Sequence, residues 1–135
     1  MIVTSKTDSI KASSQKVYNL LKDCRRFEKM IPTQKVENLK VGEDFCEFEV
    51  PGIAKMRVEL AACVEYTEVK YKLLNDKNLP AHLRFDIQER AAELCDLELT
   101  IEVEIPIFLS GMVKKPLQMM ADTAVQKIKE AAECA

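Results

Sequence analysis

Few side chains in this sequence are equipped for chemistry, and their spacing does not gather them. There is one histidine, His82, and five cysteines, Cys24, Cys46, Cys63, Cys95 and Cys134, with no two at the C-x-x-C spacing of a zinc or redox motif. His82 belongs to a run in which His82, Arg84 and Asp86 alternate with Leu83, Phe85 and Ile87, which places it on the wet side of a strand. A Cys–His nucleophile pair needs both groups on one face, yet Cys46 and Cys95 fall on apolar parities and read as small core residues. Tyr66 and Tyr71 share an inward parity, so Tyr71 either satisfies its hydroxyl within the core or offers it to a ligand. Lys6 and Asp8 alternate with Ile10. If all three point inward, a buried carboxylate beside a buried ammonium is an acid/base candidate; if the strand is short or at an edge, both are solvated. No catalytic residue is assigned on this basis, and neither a metal nor a cofactor is expected.

The bulk numbers narrow the classes further. At 135 residues one domain, 1–135, is expected, and 47% apolar with 31% charged residues is ordinary for a globular chain. Twenty basic and twenty-two acidic side chains nearly cancel and form no basic block, so bulk charge speaks against nucleic acid or an anionic membrane as partner. No stretch approaches the roughly 18 apolar residues of a membrane span. An odd number of widely spaced cysteines and an N-terminus without a signal-like apolar run lead to the expectation of a reduced, cytoplasmic protein.

The elements that must position these residues are legible from period. Met1 to Ile10 reads as a first strand, and Ser13 as the N-cap of a helix with Val17, Leu20, Leu21 and Cys24 on its apolar face. Arg25 to Met30 reads as a second short helix stopped at Ile31-Pro32. Strands are expected over 33–41, 45–50, 54–66 and 69–73, with turns at Gly42-Glu43-Asp44, Pro51-Gly52 and near Thr67. A loop over Asn75–Pro80 precedes a strand carrying Leu83, Phe85 and Ile87. The clearest strand runs from Cys95 through Leu97, Leu99, Ile101 and Val103 to Ile105, with acids and Thr100 between them. After Pro106 the period becomes helical, with Val113, Leu117, Met120, Ala121, Ala124, Ile128 and Ala131 on one side. Sequential strands with short turns form an antiparallel meander, and one long helix must lie on its dry face: an α+β layout.

This order, β-α-α-β6-α, resembles the helix-grip fold of the START, polyketide-cyclase and pollen-allergen superfamily (SRPBCC). The segment Ile10 to Asp23 is similar to the family's I-x-A-(P/S)-x-x-x-V-(W/Y)-x-x-L-x-D, through Ile10, Ala12, Ser13, Val17, Tyr18, Leu21 and Asp23. Phe27 to Pro32 is similar to the second short helix that ends at a proline. There is no Trp, and Gly42 stands alone where the plant-allergen branch has a glycine-rich loop, which argues against that branch. The resemblance implies a seven-stranded curved sheet wrapped on the C-terminal helix around an apolar cavity. Members bind lipids, sterols or polyketides; some catalyse cyclisation or dehydration, and others bind protein partners, such as the activators of a chaperone.

Three readings follow. Binding of a small hydrophobic ligand is preferred because the inferred cavity parity is almost wholly aliphatic and aromatic. A cyclase- or dehydratase-type enzyme would have to use Asp8, Lys6 or Tyr71, and a protein-interaction module remains a third possibility. The expected lining is Met56, Val58, Leu60, Tyr71, Leu83, Phe85, Leu97, Leu99, Leu117, Met120 and Ala124. Met112, Met119 and Met120, with Met56, read as core or cavity side chains. The stretch 107–115 reads as a mobile cover jointed at Pro116, where a kink or a helix start is expected.

Overall fold

The computed structural model describes residues 1–23, 25, 37–50, 54–76, 80–105 and 107–134. Its elements in chain order are β1 (Ile2–Thr4), β2 (Asp8–Ile10), α1 (Ser14–Lys22), β3 (Glu37–Val41), β4 (Phe45–Val50), β5 (Ala54–Val64), β6 (Glu68–Asn75), β7 (Ala81–Ala91), β8 (Leu94–Val103) and α2 (Ile107–Glu133). The strands form one antiparallel sheet in the order β1-β8-β7-β6-β5-β4-β3, with β2 also paired to β8. Apart from Arg25, the helix expected over Arg25–Met30 lies outside the described residues, as do the stop at Pro32, the Pro51-Gly52 turn and Cys24.

Among the described residues the expected first strand is broken into β1 and β2, which makes eight segments of the expected seven-stranded curved sheet. Thr4 opposes Thr100 and Asp8 opposes Leu97, so four steps on this strand match three on β8. The extra residue flips the side-chain parity, which is why Val3 and Ile10 are both buried although one is odd and the other even. Ser5 closes the break: its N–H donates to the Leu99 carbonyl at 2.8 Å, and its Oγ accepts from the Leu99 N–H at 2.9 Å. A buried hydroxyl thus takes the place of a ladder carbonyl.

A second excess residue lies in β5. Leu60 opposes Tyr71 and Ala62 opposes Lys70, so two residues on β5 match one on β6. Beyond this bulge Cys63 faces Val69 on the inner side, while Val64 turns outward and is 53% exposed. The chain then reverses through Tyr66, which adopts a positive φ of 62°.

Helix α1 begins as its sequence requires. The Ser13 Oγ accepts the Lys16 N–H at 3.1 Å, and Val17, Leu20 and Leu21 are buried. Helix α2 lays Ala121, Val125, Ile128 and Ala132 into the core and packs on β8, β2, β1 and α1. One flank of α2 is tied to the β1–β2 edge by polar contacts. Gln118 Nε2 donates to the Thr4 carbonyl at 2.8 Å, Asp122 accepts the Lys6 N–H at 3.0 Å, and Glu133 accepts the Lys11 N–H at 2.9 Å. Lys129 pairs with Asp8 at 3.3 Å. The helix does not start at Pro116: it is already formed from Ile107 and continues through the proline to Glu133. Proline removes one ladder bond there, to the carbonyl of the exposed Met112, and a 27-residue helix tolerates that loss.

Asp96 joins three strands. Its carboxylate accepts Arg90 Nε from β7 at 2.6 Å and the Ser9 hydroxyl from β2 at 3.0 Å. The hydrogen bond from Arg90, then that from Ser9, holds its pKa below the usual carboxylate range. A carboxyl depressed in the folded state contributes stability above its unfolded pKa and loses that contribution as pH falls through the folded value. Asp96→Asn is therefore expected to be less stable than the parent at neutral pH, with the gap closing in acid. Urea denaturation across the acid range checks this; a gap independent of pH would show that Asp96 is not linked to folding.

Candidate functional site

The inner face of the sheet is built by parity and register. Phe48 lies opposite Met56, Val58 between Cys46 and Leu73, Leu60 opposite Tyr71, and Tyr71 opposite Leu83. On β7 and β8, Phe85 opposes Leu99 and Ile87 opposes Leu97. These positions carry no charged side chain. Charges occupy the other face, where Arg57 pairs with Glu47 and Glu59, and Arg84 with Asp86 and Glu68. Arg57 also stacks over the Phe45 ring at 4.4 Å, and the hydrogen bond it donates to Glu47 is the main cause of its raised pKa.

The eleven expected lining residues divide by depth. Val58, Tyr71, Phe85, Leu97 and Leu99 are buried in the core, and Leu60, Leu83, Leu117 and Ala124 are partly buried against it. Met56 is half-buried at the far side of the sheet. Met120 is a correction: it is 56% exposed. Successive helical residues are about 100° apart, so burying Ala121 at the centre of the stripe rotates Met120 away from it. Met112 and Met119, read as core or cavity residues, are likewise exposed, at 73% and 63%.

Leu99 is in filled core, 2% exposed, and not at a void. Space is found instead toward β4, β5 and β6. Among the described residues β3, β4 and β5 make their main contacts with neighbouring strands, whereas α1 packs on β6 and β7 and α2 on β8, β2 and β1. Phe48, Met56, Leu60, Leu73 and Leu83 are accordingly half-buried apolar residues on the inner side. Phe48 and Leu73 were missing from the expected lining; the pairings with Met56 and Val58 would have supplied them had the register been known.

The candidates for chemistry are engaged elsewhere. Tyr71 is fully buried, meets Phe85 edge-on with centroids 6.3 Å apart, and donates its hydroxyl to the Leu21 carbonyl at the end of α1. It thus satisfies a helix-terminal carbonyl instead of offering that proton to a ligand. Tyr66 is not inward: the β5 bulge and the turn place it at the surface, 37% exposed, edge-on to Tyr18 at 5.5 Å. Lys6 is exposed and does not meet Asp8, whose carboxylate pairs with Lys129. The inward Lys6–Asp8 pair is overturned by the extra residue between Thr4 and Asp8. His82 is exposed, opposite Lys72 and Glu102, on the outer face. Cys46 and Cys95 are buried as expected, and burial, followed by Asp96 and Glu89, raises the Cys95 pKa, which disfavours the thiolate.

A cleft of about 530 Å³ lies at the β3–β6 end. It is bordered by outward-facing Glu47, Glu49, Lys55, Arg57 and Leu74, by Asn38 and Lys40, and by the intervening Phe48, Met56 and Asn75. Of the expected lining only Met56 borders it. This polar rim is distinct from an enclosed apolar cavity.

Solved structures share this arrangement across nearly the whole chain. A START superfamily protein from Mycobacterium smegmatis superposes with a TM-score of 0.74 at 15% identity, covering 98% of this chain and 97% of its own. The fold is the START-like helix-grip fold. A conserved protein from Geobacillus kaustophilus gives a TM-score of 0.74 at 16% identity over 98% of this chain and 95% of its own. Norcoclaurine synthase from Thalictrum flavum gives 0.70 at 13% identity over 95% and 92%. No family model and no curated protein sequence matches the chain. The helix-grip assignment therefore rests on three-dimensional arrangement.

Two substitutions test these placements. Tyr71→Phe strands the Leu21 carbonyl and is expected to cost about 1–3 kcal/mol on chemical denaturation. His82→Ala is expected to change stability by no more than about 0.5 kcal/mol, as for an uninvolved surface residue; a larger loss would place His82 in a contact that the outer-face assignment excludes.

Proposed function

We propose that this chain binds or carries a small hydrophobic ligand, of lipid, sterol or polyketide type, between the inner sheet face and α2. The observation that carries the reading is the set of half-buried apolar side chains on the inner side, Phe48, Met56, Leu60, Leu73 and Leu83, where the inner positions of β4, β5 and β6 bear no charge. Leu117 and Ala124 supply the facing flank of the helix. Such a surface recognises a ligand by apolar area, at about 25 cal/mol per Å² removed from water. Val58, Tyr71, Phe85, Leu97 and Leu99 form the floor behind it, and Met120 marks its outer margin.

Binding without chemistry is favoured over a cyclase or dehydratase. An acid/base step needs a titratable group at the reacting atoms, and Asp8, Lys6 and the Tyr71 hydroxyl are each committed or placed elsewhere. No helix among the described residues is long and apolar enough to cross a membrane. No disulfide joins Cys46, Cys63, Cys95 or Cys134, in keeping with the reducing, cytoplasmic setting we propose.

Native mass spectrometry and displacement of a fluorescent fatty acid test the reading. The parent chain is expected to take up apolar probes, and Met56→Trp to reduce uptake while remaining folded. Leu99→Trp, by contrast, overpacks filled core and is expected to cost about 1–3 kcal/mol. A parent chain that takes up no apolar probe would end the proposal.

A further inference from the structure

Strand β5 runs on past the strand beside it. The last rung between β4 and β5 is the Leu60 N–H donating to the Asp44 carbonyl at 2.8 Å, where the chain turns over 42–44 from β3 into β4. Beyond it β5 continues through 61–64, which pair with β6 alone. The excess residue between Leu60 and Ala62 sits where β5 parts from β4. On the side that β4 leaves open, the N–H and C=O groups of 61–64 have no hydrogen-bond partner among the described residues. Ala61, Ala62 and Val64 are exposed, and apart from the bulge the stretch carries neither the charge nor the proline that usually guards an open edge. Such an edge is a template for one kind of occupant, another extended backbone.

Charge selects the strand. Asp44 stands at one end of the open stretch and Glu65 at the other, both exposed, and neither is in an ion pair among the described residues. Glu43, next to Asp44, adds a carboxylate on the side of Arg25, whose guanidinium is held by Asp23. Lys70, opposite Ala62, lies one strand further in. A second copy adding antiparallel over 61–64 would bring its own Glu65 against Asp44, so like charges oppose self-pairing. We propose that 61–64 is a docking edge for an extended segment of a protein partner, added as a strand to β5, with a basic residue at each end of an uncharged stretch. Those ends stand about five residues apart, the span from Leu60 to Glu65 at about 3.3 Å per residue. Ala61 and Ala62 leave room beside Val64 for a β-branched side chain of the added strand. This goes beyond the ligand reading and stands without it, since none of Asp44, Ala61, Ala62, Val64 and Glu65 belongs to the proposed ligand surface.

A synthetic six-residue peptide, valine and threonine alternating between two terminal lysines, tests it on the full chain by NMR titration and amide hydrogen exchange. Amides of 61–64 that face the open side are expected to exchange fast in the free protein, and to slow and shift as the peptide is added. The same peptide ended in glutamates is expected to bind at least about tenfold more weakly, because like charges then meet at both ends. Methylating the backbone nitrogens of the lysine-ended peptide removes its donors and is expected to abolish the shifts. Asp44→Lys with Glu65→Lys is expected to reverse the preference between the two peptides, and Glu65→Gln alone to narrow it. Both positions are exposed, and circular dichroism confirms folding of each variant. Protection of these amides in the free monomer, no shift with the lysine-ended peptide, binding indifferent to methylation, or a preference unchanged in both variants overturns the proposal. So does a dimer in light scattering that protects 61–64 without peptide, which assigns the edge to a second copy.

Discussion

Strand β8 has to satisfy four neighbours at once, and the rest of the molecule follows from how it does so. It pairs with β7 along one edge and with β1 and β2 along the other, and it carries α2 on its inner face. Strict alternation makes this possible: Cys95, Leu97, Leu99 and Ile101 are buried beneath the helix, while Asp96 and Glu98 stay outside to hold the edge through Ser9, Arg90 and Thr7. A single charge on the inner parity of β8 would have to be buried under α2 without water, at a cost exceeding any one contact there.

The attachment of α2 is asymmetric. Its stripe of alanine, valine and isoleucine sits over β8, and its polar flank is tied to the β1–β2 edge through Thr4, Lys6, Asp8 and Lys11. The opposite flank, with Leu117 and Ala124, is only partly buried. Small residues bring the helix close to β8, and that closeness keeps its main contacts at one side of a wide curved sheet. The half-buried apolar positions of β4, β5 and β6 are a geometric consequence.

Two single-residue insertions decide where polar groups point. The excess at Ser5–Thr7 turns Lys6 to solvent and delivers Asp8 to Lys129. The excess at Leu60–Ala62 brings Cys63 inward and sends Val64 and Tyr66 outward. Each replaces a grouping that unbroken alternation would have produced. The register is unbroken from Phe45 to Val50 on β4 and from Ala81 to Glu89 on β7, so apolar residues keep the inner face there; the remaining slips lie at the ends, at Glu37–Lys40 and Glu89–Ala91.

Alternation and helical period alone determined the class of this protein. The run Cys95–Val103, the Ser13 cap, the hairpin at Gly42 and the long terminal helix are local patterns, and they led to an α+β layout; the helix-grip expectation came from the family resemblance of the element order and of Ile10–Asp23, and the arrangement in space bears both out. The outer position of His82 and the burial of Cys46 and Cys95 were readable for the same reason, since each lies in a strand whose parity is unbroken around it. The fate of Tyr66, Lys6, Asp8 and Met120 was settled only by tertiary structure. A bulge appears in one strand's count only against its partner's, and no single strand's sequence shows the partner. The rotation of α2 likewise depends on which small residues β8 accepts beneath it, not on which residues of the helix are apolar. Local periods state which residues can share a face; pairing and packing decide which face is buried.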